Sequence, residues 1–239
     1  VGFDLVDGLV EVTPTAHYMM GGVVFNTDTS TAMPGLFAAG EDTGGIHGAN
    51  RLGGNGVANS TVFGGIAGDV MADWVPREGR HVDGDESVIQ AAVAAALLPF
   101  TQPIGDLSSI RERMQRITWD DVGIIRDADG LRRGLAALEA LADELQATGV
   151  ADGSRLSNMT WHDWLNLRSQ ILIGQTIAAA ALLREDSRGA HFRTDYPQTD
   201  SLESSRNTLV SLQNGALATD TQSVAFTRVK PGESLIEME

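Results

Sequence analysis

The chain has 239 residues and a formal net charge of −15, from 17 Lys+Arg against 32 Asp+Glu. That balance argues against a nucleic-acid partner, which needs a basic stripe, and the absence of cysteine excludes disulfides, thiolate metal sites and a cysteine nucleophile. A hydrophobic content of 42% suits a core of ordinary size, no apolar run reaches the roughly 18 residues of a membrane span, and no basic leader precedes an apolar stretch.

The first quarter reads as short strands and turns punctuated by glycine and proline. Strand candidates lie at 9–13, 23–27 and 36–39, and 24–34 reads as a compact hairpin. His17 precedes the first glycine pair and, taken alone, reads as structural. A second Gly-rich run, 47–55, holds one fixed positive charge, Arg51. Gly53, Gly54 and Gly56 cluster there, just before a helix expected to begin between Gly56 and Asn59 and to run to Val75. Its Gly64, Gly65 and Gly68 suit close packing against a sheet, although each costs roughly 1 kcal/mol of helix propensity. The free N–H groups and positive dipole end at such a helix start attract electron-rich atoms. A guanidinium beside them grips a carboxylate through two hydrogen bonds. Two readings stand side by side: a Gly-rich turn with a surface arginine, or a loop that holds an anion against a flat cofactor. A dinucleotide fingerprint does not fit, because the run from Gly54 to Asn59 lacks the final glycine of G-x-G-x-x-G.

Residues 76–87 read as a polar linker. Asp83, Asp85 and Glu86 there belong to a solvated loop without ligand spacing, His81 is expected at the surface, and 127–130 fails the calcium-loop pattern because its glycine comes too early. No metal site is expected. Helices follow: one capped by Ser87 and running to about Leu98, one over 107–119, and one carrying Leu131, Leu135, Leu138, Leu141 and Leu145 on a single face behind an Asp129 cap. A fourth opens at Asn158 or Thr160 and runs to about Arg184. Trp161 and Trp164 read as packing residues and His162 as outward-facing. The final segment, 187–239, is weakly periodic, with a strand-like stretch at 224–229.

Four pieces in order, PTAHYMMGG (14–22), GLFAAGE (35–41), HGANRLGGN (47–55) and REDSRGAHFRTDYP (184–197), resemble the flavoprotein subunits of succinate dehydrogenase and fumarate reductase and the related L-aspartate oxidases. The resemblance implies that His17 and Arg51 are the catalytic pair binding the carboxylates of a small C4 dicarboxylate. It implies that Glu41, Asn55, Gly56 and Val57 border FAD, Gly56 and Val57 through their backbone. Gly56-Val57 stands where these enzymes usually carry Ser-Leu, and the connector 42–46 is about one residue short. Arg188, His191 and Arg193 either line the cofactor face or form a structural loop tied by salt bridges.

The fold implied is α+β: the C-terminal part of an FAD-binding α/β domain over 1–75, a linker at 76–87, an antiparallel three- or four-helix bundle over 88–185, and an irregular tail, 186–239, packing back on the FAD domain. The family's dinucleotide unit and capping domain have no counterpart here. The expectation is therefore a portion of an FAD-dependent CH–CH oxidoreductase, inactive without its N-terminal part. The partners implied are a dicarboxylate, that N-terminal portion and an iron–sulfur subunit, with no direct membrane insertion and a cytoplasmic place at the inner face of a membrane. The alternatives are an L-aspartate oxidase-like enzyme and a non-catalytic docking portion.

Overall fold

The computed structural model describes residues 8, 9, 17–80 and 82–233. Beyond Leu9 the expected strand at 9–13 lies outside them, as does His81. The chain divides into two units, Val1–His81 and Val82–Glu239, each described here by itself.

In the first unit the strands expected at 23–27 and 36–39 do not form. Their places are taken by isolated bridges, Val23 with Thr43 and Ser30 with Phe37. Each segment finds only one partner, so no ladder propagates. Val23 N–H donates to Asp42 (2.7 Å) and Gly44 N–H to Val23 (3.1 Å). This approach requires glycine at 22, where a Cβ would lie 2.2 Å from the Asp42 carbonyl oxygen. The segment 24–34 does close on itself: Asn26 N–H donates to Ser30 (2.8 Å) and Thr29 N–H to Asn26 (2.9 Å), with Thr29 buried at φ 68°.

Helix α1, Asn55–Glu78, follows a left-handed Gly54 and runs past the expected end through Pro76. Proline is tolerated there because the last turn still closes, with Gly79 N–H donating to Val75 (3.0 Å). The polar stretch predicted as a linker is thereby shortened at its start. Asn59 and Ala67 form the buried side of α1, and Phe63 and Trp74 meet Phe25 and Phe37 edge-on. Gly64, Gly65 and Gly68 face open space rather than the expected sheet: a Cβ at each would meet nothing within 4 Å among the described residues.

The second unit contains α2 (Glu86–Leu97), a 3₁₀ turn (Leu98–Phe100), α3 (Leu107–Val122), α4 (Ala128–Gln146) and α5 (Met159–Leu183). Carboxylates cap two of them two residues before the expected positions: Asp85 rather than Ser87 caps α2, and Asp127 rather than Asp129 caps α4. Asp106 caps α3, and Asn158 caps α5 as expected. An Asp just outside the helix accepts two or three residues on and also favours the dipole end. The leucine stripe of α4 is the centre of the core. Leu138, Leu141 and Leu145 pack with Ile110 and Met114 of α3 and with Trp164, Leu167 and Ile171 of α5, while Leu131 meets Val122, Ala178 and Ala181. α2 buries no residue among those described, so α3, α4 and α5 share the core. Trp164 is buried and its indole N–H donates to the Leu145 and Thr148 carbonyls. Trp161 donates to Ala96, and His162 is exposed, both as expected.

The tail is not irregular. Strands β3 (Arg206–Gln213) and β4 (Ala216–Ser223) form an antiparallel hairpin, closed by Asn214 and Gly215 at φ 51° and 83°. Asn-Gly between alternating runs is a strong hairpin signature. The stretch 224–229, expected as strand, forms none. The hairpin packs against α5. A short parallel pair, β1 (Ile125–Arg126) with β2 (Phe192–Arg193), brings the 184–197 segment to the end of α3.

That segment is tied by ion pairs. Asp186 is held by Arg184 (2.9 Å) and Arg188 (3.1 Å). Arg193 is buried, pairs with Asp195 through both its Nε and a terminal nitrogen, and donates to the Ala181, Leu182 and Arg184 carbonyls. The structural reading of these arginines therefore holds within this unit.

His191 accepts a 2.8 Å hydrogen bond at Nδ1 from Arg126. Burial, with Arg126 beside it, pulls its pKa from 6.5 to about 4. The native state thus binds fewer protons than the unfolded chain between those values, and stability falls as pH drops through that window. His191→Gln keeps an acceptor for Arg126 and removes the titration. The wild type's stability relative to this variant is expected to decline from pH 7 to pH 4.5 in thermal denaturation, by on the order of 1–2 kcal/mol.

Candidate functional site

In the first unit, the segment 17–20 gathers residues from three directions. Met19 N–H donates to the Glu41 carboxylate (2.8 Å). Glu41 is exposed and follows Gly40, whose φ of 89° turns the chain. The Gly40 carbonyl accepts from the Thr43 hydroxyl (2.7 Å) and from Asn59 Nδ2 (3.2 Å). Asn59 is buried one turn into α1, so its amide locks the helix start to the end of the 35–41 segment.

Tyr18 stands at the centre. Its hydroxyl lies 3.2 Å from His47 Nε2 and 3.3 Å from Asn59 Nδ2. The His47 and Tyr18 rings meet edge to face at 5.2 Å. The other edge of the Tyr18 ring rests on the start of α1. A Cβ at Gly56 would lie 2.7 Å from Tyr18 Cε2, so glycine at this position leaves room for the ring. The Arg51 guanidinium sits 4.4 Å from the Tyr18 ring centroid. One of its terminal nitrogens donates to the Leu52 carbonyl (3.2 Å), while its Nε is buried with no partner among the described residues.

The sequence-predicted residues thus fall as follows. Arg51 lies over Tyr18, the chain neighbour of His17; Glu41 bonds the backbone of Met19; Gly56 carries the Tyr18 ring. His17, Asn55 and Val57 are exposed. Sequence reading missed Tyr18, His47 and Asn59. Tyr18 and His47 stand inside the motif pieces, but Asn59 reaches Gly40 across 19 residues, which no local pattern announces.

This arrangement fits a flat, electron-rich group. α1 begins without a side-chain cap and without an acidic residue in its first turn; Asn55 N–H donates to Leu52 (3.2 Å), and the N–H groups that follow it meet no side-chain acceptor among the described residues, which suits a ligand there. Leu52 and Val57 are exposed apolar side chains on either side of Gly53 and Gly54, and the Arg51 Nε–H is an unused buried donor.

Residues 111–235 match the family described as fumarate reductase flavoprotein C-term, and residues 8–57 match the FAD binding domain. The chain belongs to the fumarate reductase flavoprotein family. FAD is accordingly its cofactor. The chain is 35% identical to the fumarate reductase flavoprotein subunit of Mycobacterium tuberculosis over 96% of its own length and 41% of that subunit. It is 36% identical to the L-aspartate oxidase of Rhodospirillum rubrum, covering 87% of this chain and 65% of that one. It superposes on E. coli quinol fumarate reductase with a TM-score of 0.86 at 28% identity, covering 97% of this chain and 41% of that chain. The chain thus spans about two-fifths of the fumarate reductase subunits it matches.

Proposed function

We propose that this chain is part of an FAD-dependent oxidoreductase that interconverts a small dicarboxylate and its unsaturated form, of the succinate/fumarate type. The observation that carries the reading is the Arg51 guanidinium, held over Tyr18 with a buried Nε–H that no described residue uses. In a chain this acidic, a buried cationic donor beside an uncapped helix start favours an anionic guest. Arg51 grips one carboxylate and His17, one residue from the platform, meets the other. Glu41, through its hold on the 17–19 backbone, and the α1 start at Asn55, Gly56 and Val57 border the flavin. FAD supplies the hydride acceptor or donor; the residues of this chain orient the substrate and stabilise charge on its carboxylates.

The same proposal places the dinucleotide unit, the capping domain and the proton-shuttling residue outside these 239 residues. It takes an iron–sulfur subunit as partner, since several relatives are named as subunits. Among the described residues no helix is long and apolar enough to cross a membrane, and the protein is proposed to sit at the cytoplasmic face of one through that partner.

An L-aspartate oxidase-like activity is the second reading, favoured by the relative of which this chain covers 65%. Substrate profiling of the full-length, FAD-loaded enzyme, N-terminal part included, separates the two. Turnover with succinate or fumarate, and at least about tenfold lower kcat/KM with aspartate, is expected, a difference of about 1.4 kcal/mol in transition-state binding. A preference for aspartate would overturn the first reading in favour of the second.

A further inference from the structure

Resting on the carboxylate-binding reading of Arg51, we propose that Tyr18 is the positioning residue of this site: its ring sets the guanidinium of Arg51 so that the Nε edge, and not the tip, is offered to the anion. The Leu52 carbonyl occupies one terminal nitrogen and the Tyr18 face lies 4.4 Å from the guanidinium carbon. Those two contacts fix both the rotation and the plane of the group. The edge formed by Nε and the other terminal nitrogen has no hydrogen bond among the described residues, and its Nε is buried. A carboxylate takes two parallel hydrogen bonds from such an edge.

The platform is itself fixed. The Gly40 carbonyl can only accept, so the Asn59 amide must turn its Nδ2 toward it (3.2 Å). Nδ2 then lies 3.3 Å from the Tyr18 hydroxyl and 3.2 Å from His47 Nε2. With Asn59 donating to Gly40 and to Tyr18, the tyrosine hydroxyl donates to His47 Nε2, and the network assigns the imidazole proton to Nδ1. The ring is thus held at its hydroxyl by two side chains, at its edge by His47, and below by a residue with no Cβ, Gly56. Two orphaned buried atoms, Arg51 Nε and Asn59 Oδ1, belong to residues that touch this one ring. Neither His47 nor Asn59 has a place in the clamp itself; they act on it through Tyr18.

The test is fumarate binding by calorimetry on the full-length, FAD-loaded enzyme, with flavin content read by absorbance. Tyr18→Leu removes the platform and is expected to weaken binding roughly 3- to 30-fold, the range of a cation–ring contact from exposed to desolvated, at unchanged flavin content. Tyr18→Phe keeps the ring but frees it from His47 and Asn59, and is expected to lose roughly 3-fold, about the worth of one or two net hydrogen bonds set against a retained ring contact. Neither change should weaken binding further once Arg51→Ala is present, since contacts acting through one group are not additive. If Arg51→Ala abolishes binding while Tyr18→Leu stays within about twofold of wild type, the positioning role is overturned and the clamp stands. If Arg51→Ala leaves binding unchanged, the clamp reading itself falls, and this inference with it. Should Tyr18→Leu not fold, Tyr18→Phe decides: full affinity, or a loss that persists in the Arg51→Ala background, overturns the proposal.

Discussion

Arg51→Ala in the full-length enzyme is expected to abolish turnover, a fall of at least about 10³-fold in kcat/KM, while FAD stays bound and the protein stays folded. Three observations carry this. The Arg51 side chain makes one protein hydrogen bond among the described residues, to the carbonyl of the next residue, and one ring contact, to Tyr18, so its loss opens no core. The groups proposed to border FAD, the α1 start and Glu41, hold their places without it: Glu41 through Met19 N–H, the helix start through Asn59 and Gly40. What the substitution removes is the fixed positive charge and its fork. Hydride transfer at one carbon of the C–C bond develops negative charge on the neighbouring carbon, and the carboxylate attached to that neighbour carries more negative charge in the transition state than in the ground state. The loss should therefore appear in kcat as well as in KM. Arg51→Lys keeps the charge but not the fork, and is expected to recover only a small part of the activity. Steady-state kinetics with flavin absorbance on the same preparations checks all three statements. Turnover within tenfold of wild type, or loss of FAD in step with activity, would remove the clamp assignment.

How far the molecule could be read from its sequence depended on whether the information was local. The α4 stripe was legible because Leu131, Leu138, Leu141 and Leu145 repeat at helical spacing, and all are buried. The α2 and α4 caps slipped by two residues because several candidates stood close together; Asp127 won over Asp129 by accepting from Gly130. The β3–β4 hairpin was missed although Asn214-Gly215 announces it, because the polar residues around it read as loop. The strands at 23–27 and 36–39 were overread. Apolar composition there serves packing of Phe25 and Phe37 on α1, not a sheet. At the site, Arg51 stood out as a lone charge among glycines, and His17 only through the motif in which it sits. Tyr18, His47 and Asn59 did not stand out, because their joint meaning is a triangle of contacts drawn from three separated segments.

Arg193→Met is expected to cost the second unit about 3–5 kcal/mol, because a buried guanidinium that serves three carbonyls and one exposed carboxylate is lost. Arg193 is 1% exposed, and its guanidinium makes five hydrogen bonds among the described residues, which serve two ends at once. Three go to the Ala181, Leu182 and Arg184 carbonyls at the end of α5, where a helix leaves acceptors unsatisfied. Two go to Asp195, whose carboxylate also accepts from Ala128 N–H at the start of α4. One side chain therefore ties the C-terminus of α5 to the N-terminus of α4, each at the dipole end that favours the charge facing it. Methionine fills the volume but leaves the α5 carbonyls and the Asp195 charge without their donor. Against a total stability of roughly 5–15 kcal/mol, such a loss lowers the melting temperature by roughly 6–20 °C for a chain of this size. The pH dependence separates the ion pair from mere packing. Arg193 holds the Asp195 pKa far below its ordinary value of 3.8, so this stabilisation is full above that value and is lost as pH falls below it. The variant lacks that depression, and the stability gap between wild type and Arg193→Met should therefore narrow as pH falls from about 4 toward 2. A gap that stays constant with acid would mean that the guanidinium is needed for its contacts with the α5 carbonyls alone. A melting temperature within about 2 °C of wild type, a change worth 1 kcal/mol or less, would mean that the desolvation of the buried guanidinium cancels what its hydrogen bonds contribute.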